Sequence, residues 1–311
     1  MKQICRLCRS SDISLKYIVG IYTYYICHGC LTLFVDPQPN ARKLGKYYQN
    51  NFDYSAGKAN EKIIRTRAQQ ILKSFKPKSS IRVKITNSTI LDIGSGYGYF
   101  LHEAKKNDYI VQGVEPNSKL AHDSINQIIK SIYFGTFEEF YKKSVNMKFD
   151  FITIIHTIEH LRDPKKIIKM ACNLLSKDGV LYIETPNLDS HLFYREKQDY
   201  TFLTPPDHLW IFSRKSFEYV IPKNYEVFKI SSYSYPEHFM GILKSIYRKK
   251  SLEYLSKNIS NQGADNDKKK RFTLKQKIQI FLFDRLFARI FYRLLNLKYH
   301  GSILELYIRK K

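Results

Sequence analysis

The stretch 91-LDIGSGYGYF-100 decides the fold of this chain, together with 111-VQGVEP-116, which follows it. Glycine occupies every second position from 94 to 98, directly after an apolar, β-branched run. A dinucleotide-binding loop would read G-x-G-x-x-G, and a P-loop would carry G-K-[ST] after its glycines; this stretch fits neither pattern. The loop still lets a ligand approach the backbone, because glycine has no Cβ. The carboxylate of Glu115 suits the two hydroxyls of a ribose.

Apolar segments of strand length alternate with helical segments on both sides of this loop. Strands are predicted at 89–94, 109–115, 131–136, 149–157, 179–186, 225–235 and 302–310, and helices near 58–75 and at 97–106, 117–130, 137–143 and 164–176. This alternation predicts parallel βαβ units and an α/β, doubly wound, mostly parallel sheet of seven strands. Ligands of such sheets bind outside the carboxyl ends of the strands.

Four segments, LDIGSGYG, GVEP, FDFITIIHTIEHLRDP and DGVLYIETPN, resemble class I S-adenosylmethionine-dependent methyltransferases in their order and spacing. The resemblance implies a Rossmann-like methyltransferase sheet and S-adenosylmethionine as cofactor. In that family the glycine loop faces the methionine part of the cofactor, and the acid after the second strand binds its ribose. The residues after the third strand flank the adenine, and the end of the fourth strand lies beside the cofactor. The implied cofactor-binding residues are Asp92, Gly94, Ser95, Gly96, Gly98, Glu115, Pro116, Thr136, Phe137, Ile155 and His156.

Four of the five cysteines form two pairs, 5-CRLC-8 and 27-CHGC-30. Two CxxC turns joined by a short hairpin complete a tetrahedral thiolate site for zinc, and the intervening 15-LKYIVGIYTYYI-26 is rich in β-formers. Redox pairs and disulfides are the alternatives. The predicted ligands of a structural Zn²⁺ are Cys5, Cys8, Cys27 and Cys30. His28 is a further candidate ligand, whereas Cys172 lies in an apolar helical stretch and is predicted to be core.

The predicted domains are a zinc ribbon at 1–40, a helical connector at 41–80 and a methyltransferase domain at 81–311 with a basic helical insertion at 241–298.

The net charge of +24 predicts attraction to polyanions such as nucleic acid or anionic lipid. Within the insertion, 275–298 combines an arginine stripe with a broad apolar face. Such a helix either contacts a membrane surface, packs on the sheet of its own chain or forms a dimer. The sequence shows no secretory signal and no apolar run of membrane-spanning length, so a cytoplasmic location is expected.

Three residues are predicted to serve the chemistry of methyl transfer: His208, His160 and Asp207. Histidine suits a general base near neutral pH, and His208 lies in 205-PPDHLWIFS-213, on the predicted ligand side, with Asp207 beside it.

His156-Thr-Ile-Glu-His160 also matches the H-x-x-E-H zinc-protease motif, but Asp163-Pro164 follows at once and a continuous helix is not expected. Quinone-pathway O-methyltransferases are similar here: they carry E-x-x-E-H and can hold a divalent cation. Position 156 is histidine instead.

The N-terminal segment resembles a bacterial methyltransferase subgroup with a four-cysteine zinc-binding segment. The knuckle leads into P-x-P and L-x-x-x-Y, within 37–48, and 205–213 also resembles that subgroup. Many of its members modify sugars or surface glycans. The resemblance implies O-methylation of a sugar or of a glycan, nucleotide- or lipid-linked, in surface-polysaccharide synthesis. An RNA methyltransferase is the alternative, and a cofactor-binding regulator without catalysis is a third hypothesis. The N-P-P-[FY] motif of amide methylation is absent.

Overall fold

The computed structural model describes residues 4–50, 60–75, 87–122, 128–234 and 299–311. The strands are β1 (Ile13–Val19), β2 (Tyr22–Cys27), β3 (Thr32–Val35), β4 (Thr89–Ile93), β5 (Ile110–Glu115), β6 (Ile132–Phe134), β7 (Phe149–Ile155), β8 (Leu175–Pro186), β9 (Trp210–Ile211), β10 (Tyr225–Tyr233) and β11 (Ile303–Lys310). The α-helices are α1 (Ala41–Asn50), α2 (Glu61–Ser74), α3 (Tyr99–Lys105), α4 (Phe137–Lys143), α5 (Pro164–Asn173), α6 (His191–Glu196) and α7 (Phe217–Val220).

Seven strands form one large sheet in the order β10-β11-β8-β7-β4-β5-β6. The pairs from β8 to β6 are parallel, whereas β11 runs antiparallel to both β8 and β10. The predicted α/β, mostly parallel, seven-stranded fold is therefore confirmed. Because parallel strands end at the same edge, the segments after β4, β5, β7 and β8 meet there, and these segments carry most of the predicted site residues.

Alternating side chains of each central strand fill two buried clusters, one on each face of the sheet. In β4, Ile90 packs with residues of α2 and α3, whereas its neighbour Leu91 faces the side covered by α4 and α5. Successive strand residues point to opposite faces, so a strand that is apolar throughout must be covered on both sides. The helices on the two faces supply that cover and hold in place the edge of the sheet at which the parallel strands end.

Two helix predictions differ from the structure. A continuous helix at 117–130 is wrong for the described part of that range, which forms two short 3₁₀ turns, Ser118–His122 and Ile129–Ser131. Asn117 caps the first of these turns, because its side-chain oxygen accepts a hydrogen bond from the Lys119 N–H at 3.0 Å. The helix predicted at 164–176 is α5, which ends at Asn173, and β8 begins two residues later.

The second sheet has the order β1-β2-β3-β9 and contains the predicted ribbon hairpin. Its last strand, β9, comes from the segment after β8, so the ribbon sheet takes in a piece of the predicted methyltransferase domain. Cys5, Cys27 and Phe34 also share a buried cluster with Ile154 of β7. The two units are packed into one core, and the boundaries 1–40, 41–80 and 81–311 remain predictions.

The predicted basic insertion at 241–298, with its candidate membrane helix at 275–298, lies outside the described residues. Within the described ranges, no helix combines the length and the apolar character that a membrane crossing requires. Cys172, on α5, is 1% exposed and belongs to the core, as predicted.

Candidate active site

The glycine loop follows β4 and turns directly under the carboxyl edge of the sheet. Gly94 and Gly96 have φ of +81° and +54°, the left-handed region that disfavours residues with a Cβ. A Cβ on Gly94 would lie 2.2 Å from the Thr157 hydroxyl, so this glycine is needed for packing. A Cβ on Gly96 would meet no atom of the described residues within 4 Å. The loop therefore presents open space at Gly96, where a ligand can approach the backbone.

Glu115, at the end of β5, reaches across to this loop. One carboxylate oxygen accepts a hydrogen bond from the Gly96 N–H and the other from the Asn117 N–H, both at 2.9 Å. Burial raises the pKa of Glu115, although these hydrogen bonds and the charge of His160 act in the opposite direction. The carboxylate is thus held rigidly beside the loop, where its remaining lone pairs suit ribose hydroxyls.

Asp92 and Ser95 occupy buried positions on either side of Gly94. The Asp92 carboxylate accepts a hydrogen bond from the Thr153 hydroxyl at 2.6 Å, which ties β4 to β7. Burial raises the pKa of Asp92 to about 7. The Ser95 hydroxyl is buried and has no hydrogen-bond partner among the residues that the structure describes. A buried hydroxyl left in this state is the kind of group that a bound ligand satisfies.

The remaining predicted cofactor neighbours lie at the ends of β5, β6 and β7. Thr136 caps α4 in a reciprocal capping box with Glu139, and Phe137 is buried at 5% exposure. Pro116 is exposed and Ile155 is half-buried. Nothing in these contacts opposes a role beside adenine, and that role remains a prediction for Thr136 and Phe137.

His156 stands at the end of β7 in a left-handed conformation, with φ of +46°. Its Nδ1 lies 3.5 Å from an oxygen of Glu159, and its Nε2 lies 3.4 Å from an oxygen of Glu184. Both carboxylates are fully buried. Burial alone would raise the pKa of Glu159, but the hydrogen bond and charges of the surrounding histidines lower it to about 2. His156 therefore sits between two buried anions at the ligand edge.

Behind His156 lies a buried network that the sequence interpretation missed. Glu184 of β8 and Glu305 of β11 are register partners on adjacent strands. Arg67 of α2 bridges them: its guanidinium contacts the Glu184 carboxylate at 3.0 and 3.1 Å and also pairs with Glu305. Burial opposes ionisation, yet the charge of Arg67 and the contact with His156 lower the pKa of Glu184 to about 2. The sequence did contain one signal for this network, because Glu184 stands within an otherwise apolar strand.

His160 and Asp207 form an ion pair inside the site. The His160 Nδ1–H donates to the Asp207 carbonyl oxygen at 3.0 Å, and Nδ1 also lies 2.8 Å from an oxygen of the Asp207 carboxylate. Burial alone would lower the pKa of His160, but Asp207 and Glu159 outweigh it and raise the pKa to about 9. His160 is therefore positively charged at neutral pH.

His208 is neutral and has a defined tautomer. Its Nδ1 lies 2.8 Å from the Phe202 carbonyl oxygen, which can only accept, so Nδ1 carries the proton and Nε2 carries the lone pair. Its ring centroid lies 4.8 Å from that of His160. Burial and the charge of His160 lower the pKa of His208. The structure thus brings together the three residues predicted for the chemistry, with one of them in the protonation state of a base.

Helix α1 connects this group to the cofactor loop. The Tyr48 carbonyl accepts a hydrogen bond from the Asn117 side chain at 3.1 Å, and the Tyr48 ring lies edge-on to His160 with centroids 6.2 Å apart. Asn117 in turn donates its backbone N–H to Glu115. The predicted ribose acid and the histidine pair therefore belong to one continuous site.

Ligand atoms of Glu159, His160 and His208 all lie within 4.8 Å of one another, a spacing that a metal ion can bridge. Both histidine Nδ1 atoms already donate to protein oxygens, and His160 is charged. His156, where quinone-pathway enzymes carry glutamate, is itself a partner of Glu159. A histidine that donates through Nδ1 keeps Nε2 for a ligand or a proton, so this group fits a metal ion as well as acid–base chemistry.

The four ribbon cysteines converge on one point, as their spacing predicts. The Sγ atoms of Cys5 and Cys30 lie 3.6 Å apart, and those of Cys8 and Cys27 lie 3.4 Å apart. A disulfide would require about 2.0 Å. A tetrahedral zinc ion with bonds of about 2.3 Å places its sulfurs about 3.8 Å apart, which these thiols nearly match. His28 is exposed and lies 2.9 Å from the Ser14 hydroxyl, away from this cluster.

A family model described as a methyltransferase domain matches residues 35–221, more than half of the chain. The chain belongs to this methyltransferase family. The match includes the glycine loop, Glu115, His156 and the His160–Asp207–His208 group. The predicted S-adenosylmethionine-dependent methyltransferase is thereby confirmed at the level of the family.

Among curated proteins, this methyltransferase is similar to the ubiquinone biosynthesis O-methyltransferases of Histophilus somni and Pelagibacter ubique. The first is 31% identical over 112 residues, 33% of this chain and 47% of that protein. The second is 31% identical over 137 residues, 42% of this chain and 55% of that protein. The chain thus spans about half the length of the curated relatives it matches.

Two solved structures that are similar to this chain are S-adenosylmethionine-dependent methyltransferases. The protein from Archaeoglobus fulgidus is 15% identical, with a TM-score of 0.48 and coverage of 88% of this chain and 100% of that chain. The protein from Thermotoga maritima, titled as a possible histamine N-methyltransferase, is 17% identical, with a TM-score of 0.48 and coverage of 87% and 99%.

Gly96→Ala is expected to weaken S-adenosylmethionine binding by about tenfold, measured as Kd by calorimetry. The added methyl group enters the open space in front of the loop and also costs about 1–2 kcal/mol at a positive φ. Gly20→Ala is the matched control, because Gly20 has φ of +58° and equally open surroundings but lies in the β1–β2 turn. If the two variants weaken binding equally, the space at Gly96 is not the cofactor site.

Proposed function

We propose that this protein transfers a methyl group from S-adenosylmethionine to a hydroxyl group, with His208 as the general base. The observation that carries the proposal is the protonation state of His208: Nδ1–H is held by the Phe202 carbonyl, so Nε2 can accept a proton. A hydroxyl is a poor nucleophile until it loses its proton, and a neutral imidazole close to the acceptor removes it. The bound cofactor would supply an electrophilic methyl group on its sulfonium.

The residues around the cofactor loop fit that cofactor. Gly96 leaves room for it, the Ser95 hydroxyl lacks a partner among the described residues, and Glu115 offers a fixed carboxylate to the ribose. These residues bind and orient; they exchange no proton with the acceptor. Burial and the charge of His160 beside it lower the pKa of His208 and keep it neutral, because desolvation and a second positive charge both disfavour the imidazolium.

The acceptor that we propose is a hydroxyl of a sugar or glycan, nucleotide- or lipid-linked, methylated in the cytoplasm during surface-polysaccharide synthesis. The support is the resemblance of the cysteine knuckle and of 205–213 to a sugar-modifying subgroup. A phenolic hydroxyl is the second candidate, because relatives about 30% identical over part of the chain are named ubiquinone biosynthesis O-methyltransferases. Both candidates place an oxygen nucleophile at His208. An RNA acceptor is the third, and it is supported by the charge of +24 and by the N-terminal cysteine knuckle, since some RNA methyltransferases also carry an N-terminal zinc module.

The experiment that separates these acceptors uses the purified protein with methyl-labelled S-adenosylmethionine. Separate reactions contain a nucleotide-sugar and lipid-linked glycan extract, a set of catechols and polyprenyl phenols, and total RNA. Label in the glycan extract supports the first proposal, label in the phenols supports the second, and label in RNA moves the assignment to nucleic acid. Cofactor binding without label in any reaction would favour the non-catalytic hypothesis.

We further propose that the four ribbon cysteines hold one zinc ion. A site with four thiolates is closed, so the metal would hold the ribbon together and take no part in methyl transfer. We expect about one zinc per chain by mass spectrometry of the purified protein. Cys30→Ser should lose most of the metal and lower the Tm, because metal binding contributes to folding. Cys172→Ser, in the core but away from the cluster, should retain the metal; equal loss in both variants would contradict the assignment.

A further inference from the structure

The segment that carries His208 has little regular structure of its own. Residues 200–209 form turns, held locally by hydrogen bonds from the Asp207 and His208 N–H groups to the Thr204 carbonyl at 2.9 and 3.2 Å. A base on such a segment keeps its position only if other elements anchor the backbone. Catalysis is sensitive to this, because a displacement of about 1 Å can cost on the order of 100-fold in rate.

The anchor on one side is the ribbon sheet. Immediately after His208, the Leu209 carbonyl accepts a hydrogen bond from the Val35 N–H at 3.0 Å, and β9 then pairs with β3 through Phe34–Trp210 and Leu33–Ile211. On the other side, the Leu209 N–H donates to the Glu159 carbonyl at 2.9 Å. Leu209 is thus fixed between the ribbon and the turn after β7.

The contact nearest to the base comes from Tyr24 in β2. Its ring is fully buried, and its hydroxyl donates to the carbonyl oxygen of His208 itself at 2.6 Å. Burial and the charge of Asp207 raise the pKa of Tyr24, so the hydroxyl stays a neutral donor. Tyr24 lies three residues before the cluster cysteine Cys27 on the same strand. The cysteine cluster and the backbone of the base are therefore linked through a single strand.

We propose that Tyr24 is a positioning residue for methyl transfer, through which the cysteine ribbon sets the place of the His208 imidazole. The inference rests on the proposed role of His208. Tyr24 touches neither the reacting atoms nor the cofactor loop. Its hydroxyl and the Phe202 carbonyl hold His208 at two points, one on the backbone and one on the ring, and together they aim Nε2.

The test compares Tyr24→Phe, which removes only the hydroxyl, with Tyr25→Phe, which removes the hydroxyl of the neighbour on the opposite face of β2. Methyl transfer is measured with the acceptor extract that the wild-type protein labels from methyl-labelled S-adenosylmethionine. Tyr24→Phe should lower kcat by about 10- to 100-fold, with the Kd of S-adenosylmethionine within about twofold of wild type. Zinc content and the emission of Trp210, the single tryptophan, should not change, because that residue reports on the β3–β9 junction.

The pKa of His208, followed by imidazole NMR, is a readout that a purely structural role of Tyr24 would not change. The His208 signal is assigned as the one that is missing in His208→Gln. The groups facing His208 are Glu159 and His160 after β7, Asp207 on its own segment, and the neutral Tyr24. Loosening the segment admits water, so the pKa of His208 should rise toward 6.5 in Tyr24→Phe and stay unchanged in Tyr25→Phe.

The outcomes separate the inference from the proposed function. If His208→Gln abolishes transfer while Tyr24→Phe keeps both the rate and the His208 titration of the wild type, Tyr24 is not a positioning residue. If His208→Gln itself transfers at the wild-type rate, the proposed base is wrong and the inference falls with it. A lower Tm in Tyr24→Phe without a change in kcat or in the titration would also overturn it.

Discussion

Replacing His208 with glutamine should lower kcat by roughly 10²- to 10⁴-fold, the range that loss of a general base produces. Glutamine can still donate to the Phe202 carbonyl and fill the site, but it cannot accept a proton. The Kd of S-adenosylmethionine should stay within about twofold, because Gly96 and Glu115 are untouched. Steady-state transfer to the labelled acceptor and calorimetric cofactor binding measure the two effects.

His28→Gln is the matched control for this substitution. His28 is exposed on the ribbon, its Nε2 lies 2.9 Å from the Ser14 hydroxyl, and it takes no part in the site. Its variant should keep the wild-type kcat. A His208→Gln protein that retained more than about a third of the wild-type rate would show that deprotonation of the acceptor does not limit the reaction or occurs elsewhere.

The rate should also depend on pH in a defined direction. The pKa of His208 is lowered from its usual 6.5, so the base becomes protonated, and kcat falls, only below that value. The pKa of His160 is raised to about 9, so its ion pair with Asp207 persists to that pH. This pair contributes stability that is fully present below 6.5 and is lost as the pH rises through 9. A plateau of kcat between these limits, with an acidic limb absent in His208→Gln, is the expected profile.

Arg67→Met should destabilise the fold by about 3–5 kcal/mol at pH 7, the cost of leaving buried charges without a partner. Glu184 is fully buried, and Glu305 lies directly opposite it on the next strand. Like charges in such cross-strand positions repel unless a cation bridges them. Methionine fills much of the arginine volume but brings no charge. Urea unfolding, monitored by far-UV circular dichroism, measures the loss.

The effect of this substitution should shrink in acid. In the wild type the pKa of Glu184 is lowered from 4.5 to about 2, so its contribution to stability is fully present above 4.5 and is lost as the pH falls through 2. Without Arg67, burial would raise the pKa of Glu184, so this carboxyl would protonate at milder pH and its repulsion with Glu305 would disappear. The difference between Arg67→Met and wild type should therefore be larger at pH 7 than at pH 4.5.

Arg309→Met is the control for the buried cluster. Arg309 pairs with Glu226 at 2.9 Å, but the two side chains are 47% and 39% exposed. Exposed ion pairs contribute at most about 1 kcal/mol. Equal losses in Arg67→Met and Arg309→Met, or a loss at Arg67 that is independent of pH, would contradict the account of the network.

Local patterns in the sequence were sufficient for the fold class, the glycine loop and the cysteine cluster. Each depends on residues close together in the chain or on a repeated spacing: apolar runs at strand length, glycines at 94, 96 and 98, and two CxxC pairs. The helix predicted at 117–130 was wrong: its described part forms two short 3₁₀ turns, although Asn117 caps the first of them as it would cap a helix.

The sequence by itself determined that a glycine loop, an acid after the next strand, three histidines and a four-thiol cluster would lie along this fold. Only the tertiary structure decided their states and connections. Tyr24 reaches the carbonyl of His208 across 184 residues of chain, and Arg67 reaches Glu305 across 238, so no local pattern records either contact. The charge of His160 and the neutrality of His208 likewise arise from burial and neighbouring charges, which exist only once distant segments are packed together.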